Sequence, residues 1–406
     1  MTMQGEFFSQ ARETYVAANA ATLRWMLARP RLHGAFLNTK QNSISLADYG
    51  AADGLRGPDF LYGWIQGRGL ESVATHAAYF EPHDPELAVA LDAAGRRLYA
   101  DLDALRARHD HAFFCYDADL RPVYGDAEGG LHAQVSQADI FTYSDAFVAK
   151  GLVAGAARYV PDDLPRQLSA LAEVVDAVER GRFLMAESAP LTEAALAAQP
   201  DDLGPRMILL GAAALLVGIG RRDHAAFGGR FIARLIERHF DERTGLLRNV
   251  PDEDICNVGH GIEFVGFALE YLPMDADSRL LETLERILLA SFRAGFDGAG
   301  IRLTVSVETL QPISPYCPWW SLPEAMRAAA LLYQRRPSPA LLALWQEATA
   351  AFFGRYWRPE AGIAYQTMSG GKPVDYVPAT PDLDPGYHTG LSLFAAVKVA
   401  EELGRG

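Results

Sequence analysis

Apolar residues recur with a 3.6-residue period in about twelve successive stretches of this chain, each closed by a turn-rich break. The period predicts helices near 6 to 29, 60 to 80, 85 to 109, 139 to 160, 163 to 181, 204 to 220, 224 to 240, 257 to 272, 277 to 295, 318 to 335, 338 to 356 and 386 to 403. Shorter alternating stretches around Gly or Asp turns predict hairpins between them: His111 to Tyr124 about Asp117-Ala118-Asp119, Gly300 to Val307, and Gly362 to Tyr376 about Ser369-Gly370-Gly371-Lys372. A length of 406 residues would by itself suggest two or three domains, but large closed architectures hold as many in one. Six helix pairs with no long Ser- or Pro-rich linker lead to that second expectation. Residues 1–406 are expected to form one all-α domain, an (α/α)6 barrel with inserted β-hairpins, its odd-numbered helices outside and even-numbered ones inside.

Chemistry then belongs on the even helices, near the end where their amino termini converge and backbone N–H groups favour anionic groups. Arg68 falls on the second, His260 and Glu263 on the eighth, Trp320 and Glu324 on the tenth and His388 on the twelfth. His260 and His388 each stand at a Gly-flanked helix start, and imidazole both takes and gives a proton near neutrality. Together they suggest a two-base proton-transfer site. Glu263 lies one helical turn after His260, where a carboxylate orients an imidazole and raises its basicity; a capping or core His-Glu pair is the alternative. Arg68 is costly to bury unless paired, so it faces a carboxylate, a substrate oxygen or solvent. Trp320 and Glu324, four apart, suit an aromatic plane and a carboxylate against a sugar ring, whereas Trp319 reads as core.

The net charge of -14 argues against nucleic acid or an anionic membrane surface as partner. A small neutral or weakly charged molecule fits better. Cys115, Cys256 and Cys317 are widely spaced, so neither a disulfide framework nor a zinc cage is indicated, and His109-Asp110-His111 lacks a third metal ligand. The longest apolar run, Met207 to Gly220, is about 14 residues against roughly 20 for a membrane span, and the first residues lack a signal-peptide pattern. The expected location is cytoplasmic.

These stretches resemble the N-acylglucosamine 2-epimerase family, which also includes cellobiose 2-epimerases, mannose isomerases and sulfoquinovose isomerases. Trp64-Ile65-Gln66-Gly67-Arg68 is similar to its W-x-Q-G-R helix, and Val258-Gly259-His260-Gly261-Ile262-Glu263 to P-G-H-x-x-E with Val258 in the Pro position. Trp319-Trp320 to Glu324 resembles W-W-x-x-x-E, and Gly386-Tyr387-His388 the late P-Y-H. Phe113 to Asp117 and Tyr143 to Phe147 occupy the places of a G-W-Y hairpin and a Y-x-x-A-F helix. The resemblance implies an α/α-barrel enzyme without metal or redox cofactor, acting on an open-chain sugar through a cis-enediol; a monomer or homodimer is expected. It implies His260 and His388 as acid and base, Arg68 on the enediolate oxygen, and Glu263 tuning His260 or binding a hydroxyl. Trp64, Tyr387, Trp320, Glu324 and Arg248 would contact substrate.

The departures lie elsewhere. Ile208 and Gly211 stand where the family's M-H-x-L-E-A helix has His and Glu, Phe264 where Trp is usual, Leu322-Pro323 where Q-A is usual, and no Arg follows His388. The two-imidazole core is kept while part of the sugar-recognition wall is altered. Two other functions therefore stay open. One is a glycoside hydrolase or lyase using Glu263 and Glu324; the other is a non-catalytic sugar-binding protein.

Overall fold

The computed structural model describes residues 3–126, 128–376 and 379–404. In chain order its α-helices are α1 (Met3–Ala28), α2 (Gly63–Phe80), α3 (Pro85–His109), α4 (Tyr143–Tyr159), α5 (Leu164–Glu179), α6 (Glu193–Ala198), α7 (Gly204–Gly218), α8 (Phe227–His239), α9 (Val258–Tyr271), α10 (Ser278–Gly295), α11 (Ser321–Arg335), α12 (Pro339–Ala351) and α13 (Ser392–Leu403). All twelve helices expected from the period are present, and the short α6 is added. Their ends follow local chemistry. Asp84 accepts from the Leu87 N–H before Pro85 at the start of α3, Asp277 caps α10, and Ser338 before Pro339 caps α12. Two expected helices are shorter because a π-turn takes one end: Phe352–Tyr356 follows α12 and Tyr387–Leu391 precedes α13. Among the described residues, no helix is long and apolar enough to cross a membrane.

The chain divides into two compact units: Met1–Thr22, Asp201–Pro378 and His388–Gly406 form one, and Leu23–Pro200 with Ala379–Tyr387 the other. In the first, α7, α9, α11 and α13 pack in succession and are buried nearly all round. Helices α8, α10 and α12 lie against that row with one apolar face each, and Tyr15 of α1 accepts from the Trp345 indole of α12 at 2.9 Å. In the second unit α2 and α4 are the deeply buried pair, with α3 packed on both and α5 on α4. That seam depends on two glycines. A Cβ at Gly67 would lie 2.4 Å from the Phe147 carbonyl oxygen, and one at Gly151 2.3 Å from that of Gly67.

Two of the three expected hairpins form. Cys115–Tyr116 pairs antiparallel with Pro122–Gly125 inside a four-stranded sheet, and Thr367–Ser369 pairs with Lys372–Pro373 across Gly370 and Gly371. Both of those glycines have positive φ, as a tight turn of this twist requires. The Gly300 to Val307 stretch departs from expectation. Its strand, Thr304–Val305, pairs with Cys256–Asn257 and so braces the start of α9, while Ile301 and Val305 make single antiparallel bridges to Phe296 and Pro312, outside the expected bounds.

Candidate active site

Asn257 ends that braced strand and caps α9, its side chain accepting from the His260 N–H at 3.3 Å; Asn249 in turn accepts from the Asn257 N–H at 2.7 Å. His260 is thereby fixed in the first turn, half-buried. The indole of Trp320, just before α11, lies beside it with ring centroids 5.7 Å apart, and the same indole is 5.5 Å from the His388 ring. Close approach here needs Gly259, since a Cβ would meet the Trp320 ring at 2.4 Å. Trp319, expected as core, sets its ring edge-on to His388 at 6.3 Å.

The two imidazoles have different surroundings. Burial, then the nearby charge of His388, pushes His260 down to about 4, so at neutral pH it is an uncharged proton acceptor. His388 Nδ1 faces two buried carboxylates, Glu324 Oε1 at 3.1 Å and Glu263 Oε1 at 3.7 Å. Glu263 was expected beside His260, its neighbour on α9; its carboxylate instead reaches the imidazole that α13's preceding π-turn delivers. Glu324, expected as a sugar contact, is the hydrogen-bond acceptor of His388. Arg327, which the motifs did not reveal, binds the other oxygen of Glu324.

Ligand atoms of Glu263, Glu324 and His388 lie within 4.8 Å of one another, a spacing a metal ion would also suit. The Arg327 guanidinium already meets Glu324 there, so we read the cluster as hydrogen-bonded imidazole and carboxylates. Arg248 stands apart from it: its guanidinium holds Asp241 at 2.8 Å and the Glu253 carbonyl at 2.6 Å, bracing its own loop. Ile208 is buried on α7 and Phe264 on α9.

In the other unit Arg68 sits in an aromatic cage, 4.0 Å from the Phe147 ring centroid, 5.0 Å from Trp64 and 5.3 Å from Tyr387. Lys150 donates to the Tyr387 hydroxyl at 2.9 Å and pairs with Glu71 at 3.0 Å. Glu187, unmarked by any motif, accepts from the Trp64 indole at 2.8 Å and from the Ser144 N–H at 3.2 Å; burial outweighs those donors and pushes it up to about 7. His109 and His111 are both used structurally, the first near the Leu120 carbonyl at 3.1 Å and the second against Asp145 at 3.2 Å.

No family model matches this sequence, and no curated protein matches it either. Solved structures do. Cellobiose 2-epimerase from Spirochaeta thermophila DSM 6192 superposes with a TM-score of 0.74 at 16% identity, covering 99% of this chain and 100% of that one. The fold is the α/α barrel of the sugar 2-epimerases. The same barrel matches D-mannose isomerase with a TM-score of 0.70 at 12% identity, covering 95% of this chain and 97% of that one. It also matches an unsaturated glucuronyl hydrolase specific for heparin, less closely, with a TM-score of 0.58 at 10% identity over 98% of each chain.

The depressed His260 has a consequence for stability. Its folded value of about 4 lies below the usual 6.5, so between these the unfolded chain binds more protons. The contribution is full above pH 6.5 and is lost as pH falls through 4, up to roughly 3 kcal/mol. Urea unfolding across this range should show a shallower loss of stability for His260→Asn than for the parent. NMR titration of the His260 ring should centre near 4; a midpoint above 6 would contradict the environment described.

Proposed function

We propose that this chain is a divergent member of the N-acylglucosamine 2-epimerase family, a cofactor-independent sugar 2-epimerase or aldose-ketose isomerase acting on an open-chain free sugar. The observation that carries the reading is the pair of imidazoles on one indole, one neutral and one held by carboxylates. Environments that separate two titratable groups in this way assign acid and base. His260 accepts the proton at C2, α to the carbonyl, and the carbonyl oxygen gains a proton as the cis-enediol forms. Glu324 takes the Nδ1–H of His388, so the proton exchanged with the sugar travels through Nε2. Return of a proton to C2 from the opposite face, with O1 releasing the proton it had gained as the carbonyl re-forms, gives the epimer. Return to C1 gives the isomer, with O2 releasing its proton as the new carbonyl forms.

A hydrolase or lyase would need Glu263 and Glu324 as an acid and a nucleophile or base flanking one glycosidic bond. Glu324 is tied to Arg327 and His388 and so is poorly placed to donate a proton, which favours the proton-transfer reading. The deciding experiment is a proton NMR screen of aldoses and ketoses in heavy water, with a chelator present and unsaturated glycosides as a second panel. Deuterium uptake at C2 with appearance of an epimer or ketose is the expected result. Cleavage of glycosides without exchange would establish the hydrolase reading, and calorimetric binding without any turnover would establish a sugar-binding protein.

A further inference from the structure

We propose that Arg327 is a positioning residue for the His388 imidazole, acting through Glu324; this rests on the proton-transfer reading above. Arg327 lies one helical turn after Glu324 on α11 and is 3% exposed. Its Nη2 binds Glu324 Oε2, while Glu324 Oε1 is the atom 3.1 Å from His388 Nδ1. Behind it, Nη1 lies 3.4 Å from Glu270 Oε2 and the guanidinium sits 4.3 Å from the Phe267 ring centroid. Space for it is cut into α9 at Gly266, where a Cβ would meet Arg327 Nε at 2.7 Å. A buried guanidinium is costly, and a surrounding built this closely fixes where its charge falls.

The charge determines which way the Glu324–His388 hydrogen bond runs. With Arg327 on its other oxygen, Glu324 stays a carboxylate and only accepts, so Nδ1 carries the hydrogen and Nε2 is the atom left to exchange a proton. Without that cation, a carboxyl buried in this pocket takes up a proton and donates to Nδ1. The ring then adopts the opposite tautomer, with hydrogen on Nε2. Arg327 thus sets the proton inventory of the catalytic imidazole without touching the sugar.

The test is ¹⁵N NMR of His388 in the ligand-free protein, comparing the parent with Arg327→Met and Arg327→Lys. Parent and Lys variant should show hydrogen on Nδ1, with Nε2 protonated or not according to pH; the Met variant should show a ring with hydrogen on Nε2 alone. In exchange assays the Met variant should lose about 10- to 100-fold in kcat with KM little changed, the pattern of altered proton transfer, and the Lys variant should recover most of it. A Met variant that keeps the parent tautomer overturns the inference, as does a Lys variant that loses it, the outcome that decides if the Met protein does not fold. Because the ring signals need no substrate, they separate failure of this inference from failure of the sugar assignment.

Discussion

Replacing His388 with asparagine is expected to slow sugar interconversion by about 10²- to 10⁴-fold, the range for loss of a positioned acid or base. Asparagine suits the purpose because its side-chain N–H occupies the Nδ1 position and preserves the contact with Glu324, so the buried carboxylate keeps a donor. His260→Ala should have an effect of the same size. The two variants should differ in what they retain. With His388 gone, His260 still removes the C2 hydrogen of the epimer that presents it, so that sugar takes up deuterium without being converted; His260→Ala should favour the other epimer. Mass and NMR readouts on each epimer separately measure this. If either variant converts sugar at close to the parental rate, the two-imidazole mechanism is wrong.

The second large effect concerns stability. Lys40 Nζ lies 2.9 Å from Asp382 Oδ1, with both side chains 1% exposed. Burial pushes Asp382 above the usual carboxylate range despite Lys40, so the carboxylate form is already costly there. Lys40→Met should destabilise the protein by about 3–5 kcal/mol, because it leaves a buried charge uncompensated. Since the folded carboxyl titrates above its unfolded value, the penalty should be greatest at high pH and shrink as pH falls and Asp382 is protonated. Urea unfolding at two pH values checks both points, and Lys40→Met with Asp382→Leu should regain most of the loss. A single-variant cost below about 1 kcal/mol would mean that the pair contributes little.

The helices were readable because each carries its own stripe of apolar residues; the capping side chains at Asp84, Asp277 and Ser338 emerged with the structure. The Gly370-Gly371 hairpin was readable for the same local reason. Thr304–Val305 was not, since a two-residue strand has no period and its partner, Cys256–Asn257, lies far back in the chain. In the site, motif spacing located His260, Trp320, Glu324 and His388, which one unit brings together. Spacing gave the wrong neighbour for the Glu263 carboxylate because adjacency on a helix fixes Cβ positions, whereas a long side chain follows the charge it can reach. The separation of Arg327 from Glu324 by three residues was visible, but charged pairs at that spacing are usual on exposed helix faces. Only burial distinguishes this one. Glu187 had no local signal, since its partners Trp64 and Ser144 lie 123 and 43 residues back in the chain.

The reciprocal contact of Gly67 and Gly151 bears on how kinship survives in such chains. A side chain on a helix face can be exchanged, whereas two backbones touching at those glycines leave no volume for any substituent. Ancestry too faint for whole-chain statistics should therefore persist as a paired vacancy, one glycine just ahead of Arg68 and another four positions beyond Phe147. Searching for that spacing is a route to lineages that overall identity conceals.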